Sequence, residues 1–445
     1  MKRVIENLSP PTVLMLGFAM LIFIGSLLLA LPVATESRTG LPYLDALFTA
    51  TSAICVTGLV VLDTGDTFSL FGELVILTLI QVGGLGFMTF GTLFLLIIGK
   101  RITLKERLLL KESLNFTDLS GVVKIARRVL MFTVIAQTIG GSILAFRFSM
   151  DMPIGKAIYF GYFHAISNFN NAGFDVMGGF QGLTKYAEDP IVTITVGLLI
   201  IIGGIGFIVI HELFEYKRKR RLSLHTKLVL TTTSILIVSA TFFIFLFEYN
   251  NAKTLGTLSP GGKWLSSFFQ SITPRTAGSN TLPIADFTYP TLLLTIFLMF
   301  VGGGSGSMAS GIKVSTFTVL LATLWAQLKG KENVTLFKRK IVTATIIKAF
   351  TITICGLLLI ATTTLILSIS EKGFEFIVYL FEATSAFGTV GLSMGLTPEL
   401  SPVGRICIII MMFIGRLGPL TIGFALTRNR KKDAFHYPKG NIMIG

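Results

Sequence analysis

Nine long apolar runs constrain the fold of this chain more than any other feature of its sequence. They cover residues 12–31, 70–98, 129–148, 190–210, 226–247, 289–301, 312–328, 341–368 and 402–426. A helix that crosses a bilayer needs about 20 largely apolar residues, because its backbone polar groups must be satisfied within the segment. Charged residues make up only 14% of the chain, against about a quarter in soluble domains. The sequence therefore predicts an all-α membrane protein, and it excludes a disordered chain and an ordinary soluble enzyme.

Four shorter stretches alternate with the long runs and are rich in aromatic residues, Ala and Ser. They cover residues 42–53, 155–167, 262–271 and 373–385. Stretches of about 10 to 13 residues are too short to span a bilayer and have the length of re-entrant half-helices. Each one leads into a polar segment that contains Gly, and a long apolar run follows.

Basic residues are distributed unevenly between the apolar runs. Segments 1–11, 100–128, 211–227, 313–348 and 428–445 carry 28 of the 38 Lys and Arg residues. The positive-inside rule assigns these segments to the cytoplasm. Both termini are then cytoplasmic, which requires an even number of crossings, and eight crossings fit. The basic residues lie between membrane segments, so no nucleic-acid partner is expected. The basic run 217–221 suits contact with anionic membrane lipid or with a soluble partner.

Two Gly-containing signatures recur four times along the chain. The first reads TSAICVTGL, ISNFNNAGF, SITPRTAGS and TSAFGTVGL, with its Gly at Gly58, Gly173, Gly278 and Gly391. The second lies on the following apolar run and reads VGGLGF, IGGIGF, GGGSGS and IGRLGP, at 82–87, 202–207, 302–307 and 414–419. Four copies in phase indicate tandem repeats. We place them at residues 1–100, 101–220, 221–335, which has a broken second helix, and 336–445.

Each repeat reads as a helix, a pore loop and a second helix, and it crosses the membrane twice. All four repeats then share one orientation, with pseudo-fourfold symmetry about the membrane normal, and their loops converge on one central pore. An inverted-repeat carrier would have its symmetry axis in the membrane plane. Carbonyl groups before each Gly can replace the water shell of a cation in such a pore. The alternative for any single loop is that its Gly only caps a short helix.

These four loops, together with the Gly-rich segment of the third repeat, resemble the Ktr/Trk/HKT superfamily of potassium transporters over nearly the whole chain. The resemblance is closest to the KtrB branch, the bacterial membrane subunits. It implies a potassium-binding selectivity filter made of Val56, Thr57, Gly58, Asn171, Ala172, Gly173, Thr276, Ala277, Gly278, Thr389, Val390 and Gly391. Each loop keeps the Gly that accompanies potassium selectivity in the family. None has the full Thr-Val-Gly-Tyr-Gly of potassium channels, so we expect fewer carbonyl rings and looser selectivity.

The third repeat contains the segment GGGSGSMASG at 302–311. Each Gly costs a helix about 1 kcal/mol relative to Ala, so the segment is expected to break its helix in mid-membrane. The alternative is a close helix contact, which Gly and Ser also favour. The resemblance implies an intramembrane gate that comprises Gly302, Gly303, Gly304, Ser305, Gly306, Ser307, Gly311 and Arg416. Arg416 would hydrogen-bond the broken segment and repel cations, or only support the segment without gating.

The resemblance implies potassium uptake by the ion-translocating subunit of a bacterial plasma-membrane system. It also implies sodium dependence, a homodimer and a separate cytosolic ring (an RCK-type subunit) that binds nucleotide, with no nucleotide on this chain. No nucleophile–base pair or set of metal ligands stands out, so we expect no enzyme activity. A less selective monovalent cation channel and an inverted-repeat secondary carrier remain the alternatives.

Overall fold

The computed structural model describes residues 10–86 and 122–426. Within them, the first helix of each repeat is long and carries apolar side chains on its outer surface. These first helices are Pro10–Leu29, Val122–Phe148, Leu224–Glu248 and Thr343–Ser370. Met20, Phe146, Val238 and Ile369 are each more than 60% exposed on them. An apolar surface of this kind needs lipid around it, as the sequence predicts.

The four predicted half-helices are present and lie inside the bundle of first helices. They span Tyr43–Ile54, Ile154–Phe169, Pro260–Ile272 and Phe376–Gly388, slightly shifted or longer than the predicted stretches. Each half-helix packs against the first helix of its own repeat. Their C-terminal halves are almost entirely buried, so four helix ends point into the protein interior.

The helix that follows each pore loop is the second helix of the predicted repeat. Because the half-helix precedes it, we call it the third helix of the repeat. These third helices are Leu70–Leu85, Pro190–Ile205, Tyr289–Phe300 and Pro402–Leu417. The side chains of Ser69, Asp189 and Ser401 cap three of them at the N-terminus. The third helix of each repeat also packs against the half-helix of the next repeat, and that of the fourth repeat packs against the half-helix of the first. The contacts between repeats therefore close into a cycle.

Every third helix ends at its second Gly signature, and this corrects the sequence analysis. We expected a break only in the third repeat, with continuous runs at 70–98, 190–210 and 402–426. Helices instead end before Gly86, Gly206 and Gly418, which have φ values of 78°, 107° and 83°. The chain bends by 96° at Gly206. The last Gly of the signature adopts a backbone angle that side chains disfavour, so it ends the helix without a run of glycines.

Further elements follow the breaks. The described helices there are Phe207–Lys219, Val314–Leu328 and Pro419–Leu426. Short helices lie at Thr64–Thr67 and Leu396–Glu399, and single 3-10 turns at Pro32–Ala34, Thr184–Tyr186 and Ile284–Asp286. One antiparallel pair of two-residue strands, Thr335–Leu336 and Arg339–Lys340, departs from the all-α prediction, with Thr335 opposite Lys340.

The number of crossings is not fixed by helix length. Among the described residues, four helices are long and apolar enough to cross a membrane, and one bent pair makes a fifth candidate. The other third helices are shorter because they are interrupted, so eight crossings remain a prediction. The predicted boundary at residues 100–101 and the tail 427–445 lie outside the described residues.

Candidate functional site

The four loops that carry the first Gly signature meet as a ring. We call them the ring loops and define them as residues 55–58, 170–173, 275–278 and 388–391. A Cβ atom built on Gly58, Gly173, Gly278 or Gly391 would lie no more than 2.5 Å from the carbonyl oxygen of Ala172, Ala277, Val390 or Thr57, respectively. Each loop thus touches the next, and the fourth touches the first. The structure brings together all four glycines that the sequence singled out, at a spacing that no side chain allows.

The backbone of every ring loop follows the same conformation. The φ values of the four glycines lie between 67° and 93°. The residues two positions earlier, Val56, Asn171, Thr276 and Thr389, also have positive φ values, of 57°, 61°, 69° and 47°. Such angles are strained for β-branched residues and mark functional positions. In each ring loop, residues with positive φ alternate with a residue whose φ is negative. This alternation turns successive carbonyl groups toward the same side. The sequence analysis named these four residues as part of the filter but did not predict their backbone strain.

Hydroxyl groups at the ends of the half-helices hold the ring loops in place. The amide groups of Gly58 and Gly391 donate to Ser52 Oγ at 3.1 Å and to Ser385 Oγ at 3.2 Å. In the second repeat, Ser167 Oγ donates to the carbonyl oxygen of Phe174 at 2.7 Å. The half-helices point their carbonyl ends, which carry partial negative charge, at the ring. This arrangement favours a cation on the ring axis.

A cavity of about 280 Å³ lies directly above the ring and is lined by all four glycines. We call it the vestibule. Asp63 and Asp175 also line it. Burial raises the pKa of Asp175 to about 6, with a further contribution from the nearby carboxylates of Asp63 and Asp66. The charge of Asp175 is therefore present at neutral pH and is lost under mildly acidic conditions.

Four carboxylates of the first repeat hold repeats together. Asp63 and Asp66 accept hydrogen bonds from the amide groups of Phe180 and Gly179 in the second repeat, at 2.6 and 2.8 Å. Glu73 accepts from Tyr159 Oη at 2.6 Å, and Asp45 pairs with Arg405. Each of these four carboxylates is bonded across a seam between repeats.

The Gly-rich segment of the third repeat leaves the helix at Val301 and returns to it at Val314. We call residues 301–313 the break loop. It is compact, since the amide group of Gly302 donates to the carbonyl oxygen of Ile312 at 2.9 Å and the amide group of Ile312 donates to that of Phe300 at 3.2 Å. The amide group of Gly304 also donates to the carbonyl oxygen of Gly204 at 2.8 Å. A Cβ on Gly302 would collide with the carbonyl oxygen of Ser310, which explains why Gly is required there. The segment is therefore a loop and not a helix contact.

Arg416 joins the break loop to the first repeat. Its guanidinium donates to the carbonyl oxygen of Met308 and to Ser310 Oγ on the break loop. It also donates to the carbonyl oxygens of Gly83 and Gly84, at the end of the first repeat's third helix. A guanidinium among helix-end carbonyls is electrostatically favourable. The contact with the broken segment is the one that the resemblance implies.

A second cavity, of about 210 Å³, lies on the other side of the break loop. We call it the inner cavity. Arg416 and Lys313 both line it, together with Gly306, Ser307 and Gly311. Lys313 Nζ donates to the carbonyl oxygen of Ala309. Sequence analysis missed Lys313 because it was counted with the cytoplasmic basic residues. Its position directly after the Gly-rich segment was the available signal.

The break loop thus lies between the inner cavity, which is lined by two basic side chains, and the ring, and carbonyl groups surround the axis above it. This arrangement, in a helical fold with an apolar belt, defines the cation-transport class of membrane proteins. Among the described residues, no group of three His, Cys, Asp or Glu side chains is placed to hold a metal ion. Residues 17–435 match the family model described as TrkH, cation transport protein. The chain belongs to this family.

Curated relatives extend the match over almost the full length. The chain is 44% identical to the Ktr system potassium uptake protein B of Bacillus subtilis, over 98% of this chain and 97% of that protein. It is 41% identical to the potassium/sodium uptake protein NtpJ of Enterococcus hirae, over 100% of this chain and 99% of that protein. The resemblance to the Ktr/Trk/HKT superfamily and its KtrB branch is confirmed.

A solved structure shares the fold. The potassium transporter TrkH from Vibrio parahaemolyticus superposes with a TM-score of 0.74, covers 95% of this chain and 86% of its own, and is 18% identical in sequence. At that identity the likeness concerns the fold alone. It confirms a mostly helical membrane fold.

Proposed function

We propose that this chain is the ion-translocating subunit of a bacterial potassium uptake system. The observation that carries the proposal is the closed ring formed by the carbonyl oxygens of Thr57, Ala172, Ala277 and Val390. Rings of backbone carbonyls replace the water shell of a dehydrated alkali cation. The relatives named for potassium uptake support the choice of ion.

In this proposal a potassium ion enters the vestibule, loses water at the ring and passes toward the inner cavity. The cyclic order of the ring loops supports four repeats of like orientation, with eight crossings around one pore, and counts against an inverted-repeat carrier. The filter comprises the twelve residues named from the sequence. The basic residues Arg416 and Lys313, together with the break loop, form the barrier below it.

Further parts of the proposal concern the assembly. The chain forms a homodimer in the bacterial plasma membrane, surrounded by lipid, with both termini in the cytoplasm. A separate cytosolic nucleotide-binding ring controls the barrier, which fits relatives named as parts of a Ktr system. Sodium activates the transport of potassium. No step requires a catalytic residue or a nucleotide on this chain.

A less selective monovalent cation channel is the second candidate. A relative named for potassium and sodium uptake favours it, and so does the shortness of the ring loops. The two candidates differ in the ratio of potassium to sodium flux, and one experiment separates them.

The experiment is ion flux into liposomes that contain this chain alone, measured in turn with potassium, rubidium and sodium. We expect potassium and rubidium to enter at least tenfold faster than sodium. Gly58→Ala should reduce potassium flux more than tenfold, because its methyl group would collide with the carbonyl oxygen of Ala172. Gly155→Ala is the matched control, since nothing lies within 4 Å of a Cβ there.

Equal flux of the three ions would establish the less selective channel in place of the potassium proposal. Unchanged flux in Gly58→Ala, with Gly155→Ala also unchanged, would show that ions do not pass through the ring.

A further inference from the structure

The third ring loop carries a buried positive charge that the proposed ion path does not use. Arg275 lies three residues before Gly278, and only 7% of it is exposed. The corresponding residues of the other ring loops are Cys55, Asn170 and Gly388. A charged group at membrane depth is costly to bury and marks a functional position by default. Among the described residues, no carboxylate pairs with Arg275.

The contacts of Arg275 are few. Its Nη2 atom donates to Thr233 Oγ1 at 3.3 Å, on the first helix of the third repeat, and its Nε atom has no hydrogen-bond partner. The cavity beside it has a volume of about 10 Å³, which is close to the smallest space that holds one water molecule. No lipid headgroup or other large counter-charge fits there.

The surroundings of Arg275 supply partial negative charge. The cavity is lined by Gly204 and Ile205, at the C-terminal end of the second repeat's third helix, and by Gly303 of the break loop. The carbonyl oxygen of Gly204 accepts the hydrogen bond from Gly304 at 2.8 Å. Carbonyl groups at a helix C-terminus favour a cation nearby. Arg275 therefore stands where a ring loop, a broken helix end and the break loop meet.

The second ring loop also carries a polar side chain at the equivalent position. Asn170 Nδ2 donates to Gln81 Oε1 at 2.7 Å, on the third helix of the preceding repeat. Gln137 Nε2 donates to the same oxygen at 2.9 Å. A Cβ on Gly84 would collide with the Asn170 side chain, so these groups are in close contact. Asn170 thus ties the second ring loop to the preceding repeat by a hydrogen bond, and Arg275 lines a cavity with the helix end of its own preceding repeat.

We propose that Arg275 is a positioning residue that holds the third ring loop against the end of the second repeat's helix and the break loop, and thereby sets the ion discrimination of the ring. The proposal rests on the proposed potassium pathway. A displaced third loop enlarges the carbonyl ring on one side, and a wider ring discriminates less between potassium and sodium.

The test is the ratio of potassium to sodium flux in liposomes that contain the full chain with Arg275→Met, Arg275→Lys or Thr233→Val. We expect Arg275→Met to lower the ratio at least fivefold and Thr233→Val at least twofold. Arg275→Lys should retain more of the ratio than Arg275→Met, because it keeps the charge. Arg128→Met and Thr78→Val are matched controls, since both residues are exposed, and both should keep the wild-type ratio.

A purely structural role would lower the thermal transition of the folded variants and leave their ratio unchanged, and that result would overturn the proposal. If Arg275→Met does not fold, the near-isosteric variant Thr233→Val provides the test, and its ratio of potassium to sodium flux is judged in the same way. A wild-type chain that does not discriminate between the ions would instead refute the potassium pathway itself, so the two failures are distinguishable.

Discussion

The ring depends on individual residues that hold unfavourable backbone angles. Val56, Thr276 and Thr389 are β-branched and yet have positive φ values. Strain of about 1–3 kcal/mol at each such residue persists only where the surroundings fix the backbone. Here the fixing groups are the half-helix hydroxyls and the neighbouring loop of the ring. The strain is shared by four loops, which is why one substituted loop is expected to affect the others.

Asp175 provides a prediction at the same scale. Its raised pKa of about 6 means that the side chain is charged at pH 7.5 and neutral at pH 5. A negative vestibule concentrates cations. Potassium flux at low potassium concentration should therefore rise roughly two- to fivefold between pH 5 and 7.5, with a midpoint near 6. Liposome flux across this pH range measures the effect.

Asp175→Asn should have a flat profile over that range. The control is Asp286→Asn, which changes an exposed carboxylate paired with Lys253 and should keep the wild-type midpoint. An Asp175→Asn profile that matches the wild type would assign the pH dependence to another group.

At the scale of elements, the interrupted third helices carry the functional groups. Each helix end leaves backbone carbonyl groups without a partner inside the helix. The carbonyl oxygens of Gly83 and Gly84 accept hydrogen bonds from Arg416, and that of Gly204 accepts one from Gly304 of the break loop. Unsatisfied backbone at membrane depth is tolerated only where it is buried in protein or lines a cavity. The breaks therefore occur next to the inner cavity, where both conditions hold.

The prediction at the scale of elements concerns the barrier formed by the break loop, Arg416 and Lys313. Deletion of residues 305–307 should raise potassium flux at least tenfold, because it shortens the break loop that separates the ring from the inner cavity. Arg416→Gln and Lys313→Met should each raise flux severalfold, since each removes a basic side chain from that cavity. Liposome flux under saturating potassium is the measurement. Lys329→Met is the control, because Lys329 lies at the far end of the helix Val314–Leu328.

Unchanged flux in the deletion variant would remove the break loop from the barrier. A decrease in Arg416→Gln alone would assign Arg416 to support of the loop and not to repulsion of cations.

The whole molecule is held together by polar contacts at all four seams between repeats. The contacts join Glu73 to Tyr159, Glu188 to Ser259, Tyr289 to Glu375, and Asp45 to Arg405. The last pair closes the cycle between the fourth and first repeats. Its side chains are 11% and 22% exposed, so it lies in a region of limited solvent screening. Loss of one partner then leaves a poorly solvated charge.

We therefore expect Asp45→Asn to lower the free energy of unfolding by about 1–3 kcal/mol, read as a lower thermal transition in detergent. Asp286→Asn, which breaks an exposed pair, should change it by less than about 0.5 kcal/mol. Arg405→Met combined with Asp45→Asn should recover part of the loss, because no charge remains unpaired. If Asp45→Asn and Asp286→Asn have equally small effects on the thermal transition, the pair of Asp45 and Arg405 contributes nothing to stability.

The sequence by itself determined the membrane class and predicted the four repeats, the half-helices, the ring glycines and the broken helix of the third repeat. Those features rest on local physics, since a bilayer requires long apolar helices and a glycine is needed wherever a Cβ cannot fit. The dense glycines at 302–311 predicted a helix break, whereas the single glycines Gly86, Gly206 and Gly418 did not. One Gly is tolerated in a helix, and only packing decides whether it ends one.

Tertiary structure alone decided which residues meet. It placed Lys313 and Arg416 on one cavity, bonded Asp63 and Asp66 to a neighbouring repeat, and brought Arg275 beside Gly204 and the break loop. These pairs lie far apart in the chain, and their contacts follow from the cyclic packing of half-helices against third helices. No pattern of composition or periodicity encodes a contact between distant residues, because each depends on the positions of all four repeats together.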